Sequence, residues 1–174
     1  MEPINIKKVT LNNLQQLQDI SRQTFSETFS AGNTAENMTR YLEEGFSTEK
    51  LTAELNNDAS EFYFAVLNNE VIGYLKLNTG QSQTEIRDDK ALEIERIYVL
   101  KAYQGKKVGQ LLYDEAIQVA TEKEARYVWL GVWENNLGAI GFYKKNGFVE
   151  FDTHIFNLGE EEQTDIMMKK NLSA

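Results

Sequence analysis

The segment IERIYVLKAYQGKKVG, Ile94 to Gly109, passes from a β-rich run through a glycine-bearing turn directly into an amphipathic pattern. A strand that turns into a helix this way aims the unpaired N–H groups of the helix start, and its positive dipole end, at one point. Such a point holds an anion, above all a phosphate. Gly105 and Gly109 let the backbone approach a bulky anion without Cβ clashes. The turn matches neither the G-x-x-x-x-G-K-[ST] phosphate loop nor the dinucleotide G-x-G-x-x-G. Alone, it does not separate an anion site from an ordinary loop between strand and helix.

Working outward, Val108, Leu111, Leu112, Ala116, Val119 and Ala120 recur at helical spacing. Tyr127 to Val132 reads as a strand, Ala139 to Lys145 as a helix ending near Gly147, and Phe148 to Leu158 with Asp165 to Lys169 as a terminal strand pair. Upstream, Phe62 to Leu67 and Val71 to Leu77 flank Asn68-Asn69-Glu70, a hairpin signal, because Asn tolerates the positive φ of a tight turn. Ile4 to Val9 is an edge strand, and Thr10 is the expected N-cap of a helix carrying Leu14, Leu17, Phe25 and Phe29. Ala31-Gly32-Asn33 breaks that helix, and two shorter ones follow, with Met38, Tyr41 and Leu42, then Leu51 and Leu55. Thr79 to Lys90 is polar and reads as loop. The order β-α-α-α-β-β-β-α-β-α-β-β implies a mixed sheet covered by helices, an α/β class.

Composition narrows the chemistry. The 174 residues suffice for one domain with a sizeable core. There is no cysteine and only one histidine, His154, so thiol nucleophiles, disulfides and His or Cys metal sites are not expected. His154 reads as a strand or surface residue. Proton transfer falls to Glu, Asp and Tyr. A net charge of −9 disfavours nucleic acid and suits a cationic small molecule. No apolar run is long enough for a bilayer, and MEPINIKKVT lacks a signal-peptide core, so no membrane role and a cytoplasmic location are expected. Lys101, Lys106, Lys107, Lys144 and Lys145 cluster around the two glycine-bearing segments, while acids dominate elsewhere.

The succession of Tyr-Gln-Gly turn, Val-Gly-x-Leu-Leu helix, Trp-Leu-Gly-Val strand and Asn-x-x-Ala-Ile-x-Phe-Tyr-x-x-x-Gly-Phe resembles the GNAT superfamily of acetyl-CoA-dependent N-acetyltransferases. LEIERIYV (Leu92 to Val99), WLGVWENN (Trp129 to Asn136), AIGFYKKNGF (Ala139 to Phe148) and EEQTDIMM (Glu161 to Met168) are similar, more narrowly, to bacterial spermidine/spermine N-acetyltransferases of the PaiA type. The resemblance implies a single GNAT-like domain over residues 1–174, with its core at about 4–169, a mostly antiparallel mixed sheet and helices on both faces. It implies acetyl-CoA as co-substrate and no metal. Ile97, Tyr98 and Val99 would offer main-chain groups to the pantetheine arm, and Gln104, Gly105, Lys106, Lys107, Val108 and Gly109 would cradle the pyrophosphate. Asn136 would bond the pantetheine and Lys145 a phosphate. The family turn reads Gln/Arg-x-x-Gly-x-Gly, and here Lys107 stands at the first of those glycines. A Lys held at positive φ is strained by about 1–2 kcal/mol. Dimers are common in the family, and the C-terminal strand pair is a candidate surface for a homodimer.

The chemistry needs an acid and a base. Freeing a primary amine of pKa about 10.4 at neutral pH costs roughly 4–5 kcal/mol, and the departing sulfur benefits from a proton. The resemblance gives Tyr143 the second task. Glu95, with Glu93 behind it, is the expected base, the other reading of Glu95 being a salt bridge to Arg96 or a lysine. On a regular strand these two share a face with Ile97 and Val99, and paired carboxylates there also suit a polyamine ammonium. Trp133 and Glu134 are expected to line the acceptor site, and Trp129 to pack in the core. The expected reaction is direct transfer of acetyl to a primary amine, spermidine or spermine. The alternatives are another amine (a protein N-terminus, an amino acid, an amino sugar) or a non-catalytic acetyl-CoA-binding module.

Overall fold

The computed structural model describes residues 3–159 and 161–172. Its strands are β1 (Asn5–Lys8), β2 (Ser60–Leu67), β3 (Glu70–Thr79), β4 (Ala91–Val99), β5 (Tyr127–Trp133), β6 (Val149–Leu158) and β7 (Glu161–Asn171). They form one sheet in the order β1-β2-β3-β4-β5-β7-β6. Every neighbouring pair is antiparallel except β4–β5. The helices are α1 (Leu14–Phe29), α2 (Ala35–Gly45), α3 (Thr48–Leu55), α4 (Val108–Glu122) and α5 (Leu137–Lys145). The element order matches the sequence reading throughout.

Local chemistry explains most boundaries. Asn68 and Asn69 take φ of 51° and 66° and turn β2 into β3, as a two-residue hairpin demands. Ser47 and Thr34 accept N–H groups from Lys50 and Asn37 and so cap α3 and α2. Thr10 does not cap α1. It precedes a short 3₁₀ turn, Leu11–Asn13, and Asn13 reaches back to the Thr10 N–H at 3.1 Å. The last strand is longer than Asp165 to Lys169 because the β5 and β6 ladders hold it on both sides. β3 runs on to Thr79, and the segment after it, read as loop, opens with a 3₁₀ turn, Gly80–Ser82.

Helices cover both faces. On one, α4 presses Leu112 against β3, where a Cβ on Gly73 would lie 3.4 Å from Leu112 and 2.8 Å from the Tyr98 carbonyl. On the other, α1 buries Leu17, Ile20, Phe25 and Phe29, and α3 buries Leu51. Trp129 packs in a small cluster with Ala91 and Met167, and its indole N–H donates to Gln83 Oε1 at 2.7 Å. β6 is one edge of the sheet, with Val149 and Ile155 exposed, and β1 is the other. Among the described residues no helix is long and apolar enough to cross a membrane.

Candidate active site

The site begins where the one parallel pair stops pairing. β4 and β5 are in register only from Ala91↔Tyr127 to Glu93↔Trp129. Beyond that they part, and a cleft of about 770 Å³ opens between them. In an antiparallel ladder main-chain groups point alternately to either side. The Leu100 N–H donates to Ile72 on β3 at 2.9 Å. Alternation then turns Val99 and Ile97 toward the cleft and Tyr98 toward β3. The expected main-chain role therefore fits Ile97 and Val99 but not Tyr98, although Tyr98 also lines the cleft.

At the mouth, the Gln104–Lys107 turn leads into α4. Gly105 has φ +81° and Lys107 φ +66°, so Lys107 does occupy a left-handed position. It is also the residue just before α4, whose first N–H groups lack helical acceptors. Gln104, Gly105, Lys107, Val108 and Gly109 line the cleft. Gln104 ties back to the Val99 carbonyl at 3.2 Å, and the Lys101 N–H donates to Glu27 of α1 at 2.9 Å, so the segment leading into the turn is anchored twice. Lys106 does not line the cleft; its ammonium lies 5.6 Å from the Tyr103 ring. Lys145 is exposed and also stands outside it.

Across the gap, α5 supplies Tyr143 and the loop before it Asn136. Asn136 Oδ1 accepts the Ala139 N–H and caps α5, which leaves its Nδ2 for the cleft it lines. Tyr143 is 6% exposed and packed against Phe142 and Phe148. Burial raises its pKa, so the phenol holds its proton.

The β4 carboxylates differ most from expectation. The β3–β4 register slips between Lys76↔Arg96 and Leu77↔Ile94, leaving Glu95 as an extra residue, a β-bulge. The bulge reverses alternation, so Glu93 and Glu95 share a face with Arg96 and Tyr98, not with Ile97 and Val99. Glu95 is not a free base. It pairs with Lys76 at 2.8 Å and Arg96 at 3.2 Å and accepts from Asn78 at 2.8 Å. Burial opposes its charge, but the two cations and the Asn78 and Lys76 hydrogen bonds prevail and hold its pKa at about 2. Glu54 of α3 completes the network on Lys76 and Arg96. Glu93, 3% exposed, accepts from Asn78 Nδ2 (3.0 Å), the Thr84 N–H (2.8 Å) and Thr84 Oγ1 (2.6 Å). Burial raises its pKa against those bonds.

The remaining wall is aromatic and comes from the α1 and α2 side. Phe25 stacks on Tyr41 at 4.4 Å, and Phe29 meets Trp133 at 5.5 Å and Phe156 at 6.4 Å. Trp133 thus lines the cleft as expected. Glu134 does not: its N–H donates to Thr164 at the end of the ladder and its side chain is exposed. Sequence reasoning missed three polar groups here, Asp165 of β7, His154 of β6 and Glu85 of the 83–90 loop. His154 is the cross-strand partner of Asp165, and its Nδ1 lies 2.8 Å from Glu85 Oε1. The one sequence signal was the EEQTDIMM run, which contains Asp165. Among the described residues no group of His, Asp and Glu has the arrangement to hold a metal ion.

Comparison with known proteins agrees with this geometry. Residues 14–148 match the Acetyltransferase (GNAT) family. An uncharacterized N-acetyltransferase of Lactobacillus delbrueckii subsp. lactis is 40% identical over 172 residues, 99% of each chain. A spermidine N(1)-acetyltransferase of Thermoplasma acidophilum is 29% identical, over 98% of this chain and 99% of that one. The crystal structure of the PaiA N-acetyltransferase from T. acidophilum in complex with coenzyme A superposes with TM-score 0.82 at 26% identity, covering 98% of this chain and 99% of that one. The chain is a member of the GNAT family, an acetyl-CoA-dependent N-acetyltransferase that acts on an amine.

Proposed function

We propose that the amine acetylated by this enzyme is a polyamine, spermidine or spermine. The observation that carries the reading is the acceptor wall, in which Phe29, Trp133 and Phe156 stand beside the Asp165 carboxylate. Aromatic faces and carboxylates both attract ammonium groups, and a flexible polycation offers several. The full-length likeness to the T. acidophilum spermidine N(1)-acetyltransferase supports the same acceptor.

The chain's own residues fit the donor. The gap between β4 and β5 offers the inward main-chain groups of Ile97 and Val99, with Asn136 opposite, to a narrow arm. Gln104 to Gly109 and the start of α4 present N–H groups to phosphate, and the Lys107 ammonium offsets its backbone strain by meeting one. Acetyl-CoA supplies the acyl group as a thioester. The amine nitrogen forms the new C–N bond as the C–S bond breaks. Strand amides near Val99 stabilise the oxygen's developing charge, and Tyr143 gives its proton to the departing sulfur.

The test is acetyl-CoA-dependent release of thiol with spermidine, spermine, lysine, glucosamine and a peptide amine. The chain has no cysteine, so a thiol reagent reports only coenzyme A. Saturable release with the polyamines above the others supports the reading. Preference for any other amine overturns it.

A further inference from the structure

We propose that Asp165 is the general base for the acceptor ammonium, with His154 and Glu85 carrying the proton on to solvent. The inference rests on acetyl transfer to an amine and not on the polyamine identity of that amine.

Position comes first. Asp165 is paired on one side with Trp133 and on the other with His154, so all three side chains share one face. Gly131, two residues past the last β4–β5 pair, has no side chain, and the carboxylate takes the space over it. A Cβ there would lie 3.5 Å from Asp165 Oδ2. Asp165 thus reaches the point where the strands part, beside the aromatic wall.

Availability comes second. Among the described residues the Asp165 carboxylate has no hydrogen-bond or ion-pair partner, and burial raises its pKa while His154 acts in the opposite direction. The other carboxylates are engaged: Glu95 by Lys76 and Arg96, Glu93 by Asn78 and Thr84. The titratable groups that line the cleft with Asp165 are Tyr41 of α2, Glu93, Glu95, Arg96 and Tyr98 of β4, Tyr103 and Lys107 before α4, Tyr143 of α5, His154 of β6 and Glu85 of the loop. Of these, Glu85 and His154 form a pair open to solvent, at 41% and 37% side-chain exposure.

An N–H bond of the ammonium breaks, its electron pair stays on nitrogen, and the proton bonds to an Asp165 oxygen. A water between the two side chains passes that proton to the ring nitrogen of His154 that does not face Glu85, while its Nδ1 yields a proton to Glu85 and solvent. The base is then restored.

The experiment compares kcat/KM against pH for the unmodified protein, Asp165→Asn and His154→Gln, with the amine of the acceptor panel that is turned over fastest. Asp165→Asn should lower kcat/KM roughly 10²-fold near neutral pH. The deficit should shrink as pH approaches the amine's own pKa of about 10.4, with acetyl-CoA affinity unchanged. His154→Gln should move the acid limb to higher pH, because His154 lowers the Asp165 pKa against the effect of burial. An Asp165→Asn profile that overlays the unmodified one overturns the inference and leaves amine acetylation standing. Silence of the unmodified protein toward every amine overturns both.

Discussion

Two walls of one cleft carry carboxylates, and they have opposite fates. On β4, Glu95 is held by Lys76, Arg96 and Asn78, and Glu93 by Asn78 and Thr84. On β7, Asp165 has the same cleft before it and no such partners among the described residues. A carboxylate that lines a cavity is therefore not yet a base. The groups already bonded to it decide whether it stiffens the wall or works on what the cavity holds.

Substitution separates the two walls. Glu95→Gln leaves Glu54 as the one carboxylate shared by the buried cations Lys76 and Arg96 and should cost about 3 kcal/mol of stability, read by denaturant melts, because under-compensated buried charge is strongly destabilising. The pH dependence follows. Glu95 sits at about 2 rather than 4.5, so its contribution is complete above the higher value and is lost as pH falls toward the lower one. Melts of the unmodified protein should weaken across that window and those of Glu95→Gln should weaken less. A pH-independent difference between the two would mean the network is not charged.

Tyr143→Phe should lower kcat about 10²-fold, some 2.7 kcal/mol of barrier, and leave acetyl-CoA affinity unchanged. Equal turnover would remove the phenol from the mechanism. Lys107→Gly should raise stability by about 1 kcal/mol through relief of the left-handed strain, and titration calorimetry should show weaker acetyl-CoA binding. Tighter binding would mean the ammonium does not meet phosphate. The smallest effect expected is on the stability of Asp165→Asn, within about 0.5 kcal/mol, since a half-buried carboxylate without partners contributes little.

What could be read from sequence divides along the same line. The strand, turn and α4 that would hold the donor work through main-chain groups, which a local pattern of β-formers, glycine and helical spacing announces. Even the Lys107 anomaly showed as a departure from that pattern. A salt bridge from Glu95 to Arg96 or a lysine was open in the sequence, but Lys76, Asn78 and Glu54 come from β3 and α3, and a β-bulge adds a residue without any mark in composition. Tyr98 went astray for a related reason: its main-chain direction depends on the register with β3. Asp165 acquires its meaning only from Trp133 and His154 on flanking strands, contacts that pairing of distant segments creates.

The most direct test of the account is a crystal structure with a coenzyme A–spermine adduct joined at the sulfur. The account predicts the sulfur beside Tyr143, the phosphates at Gln104 to Gly109, and the polyamine arm among Phe29, Trp133 and Phe156 with a nitrogen about 3 Å from Asp165. An arm that leaves the cleft elsewhere, with Asp165 facing only water, would contradict it.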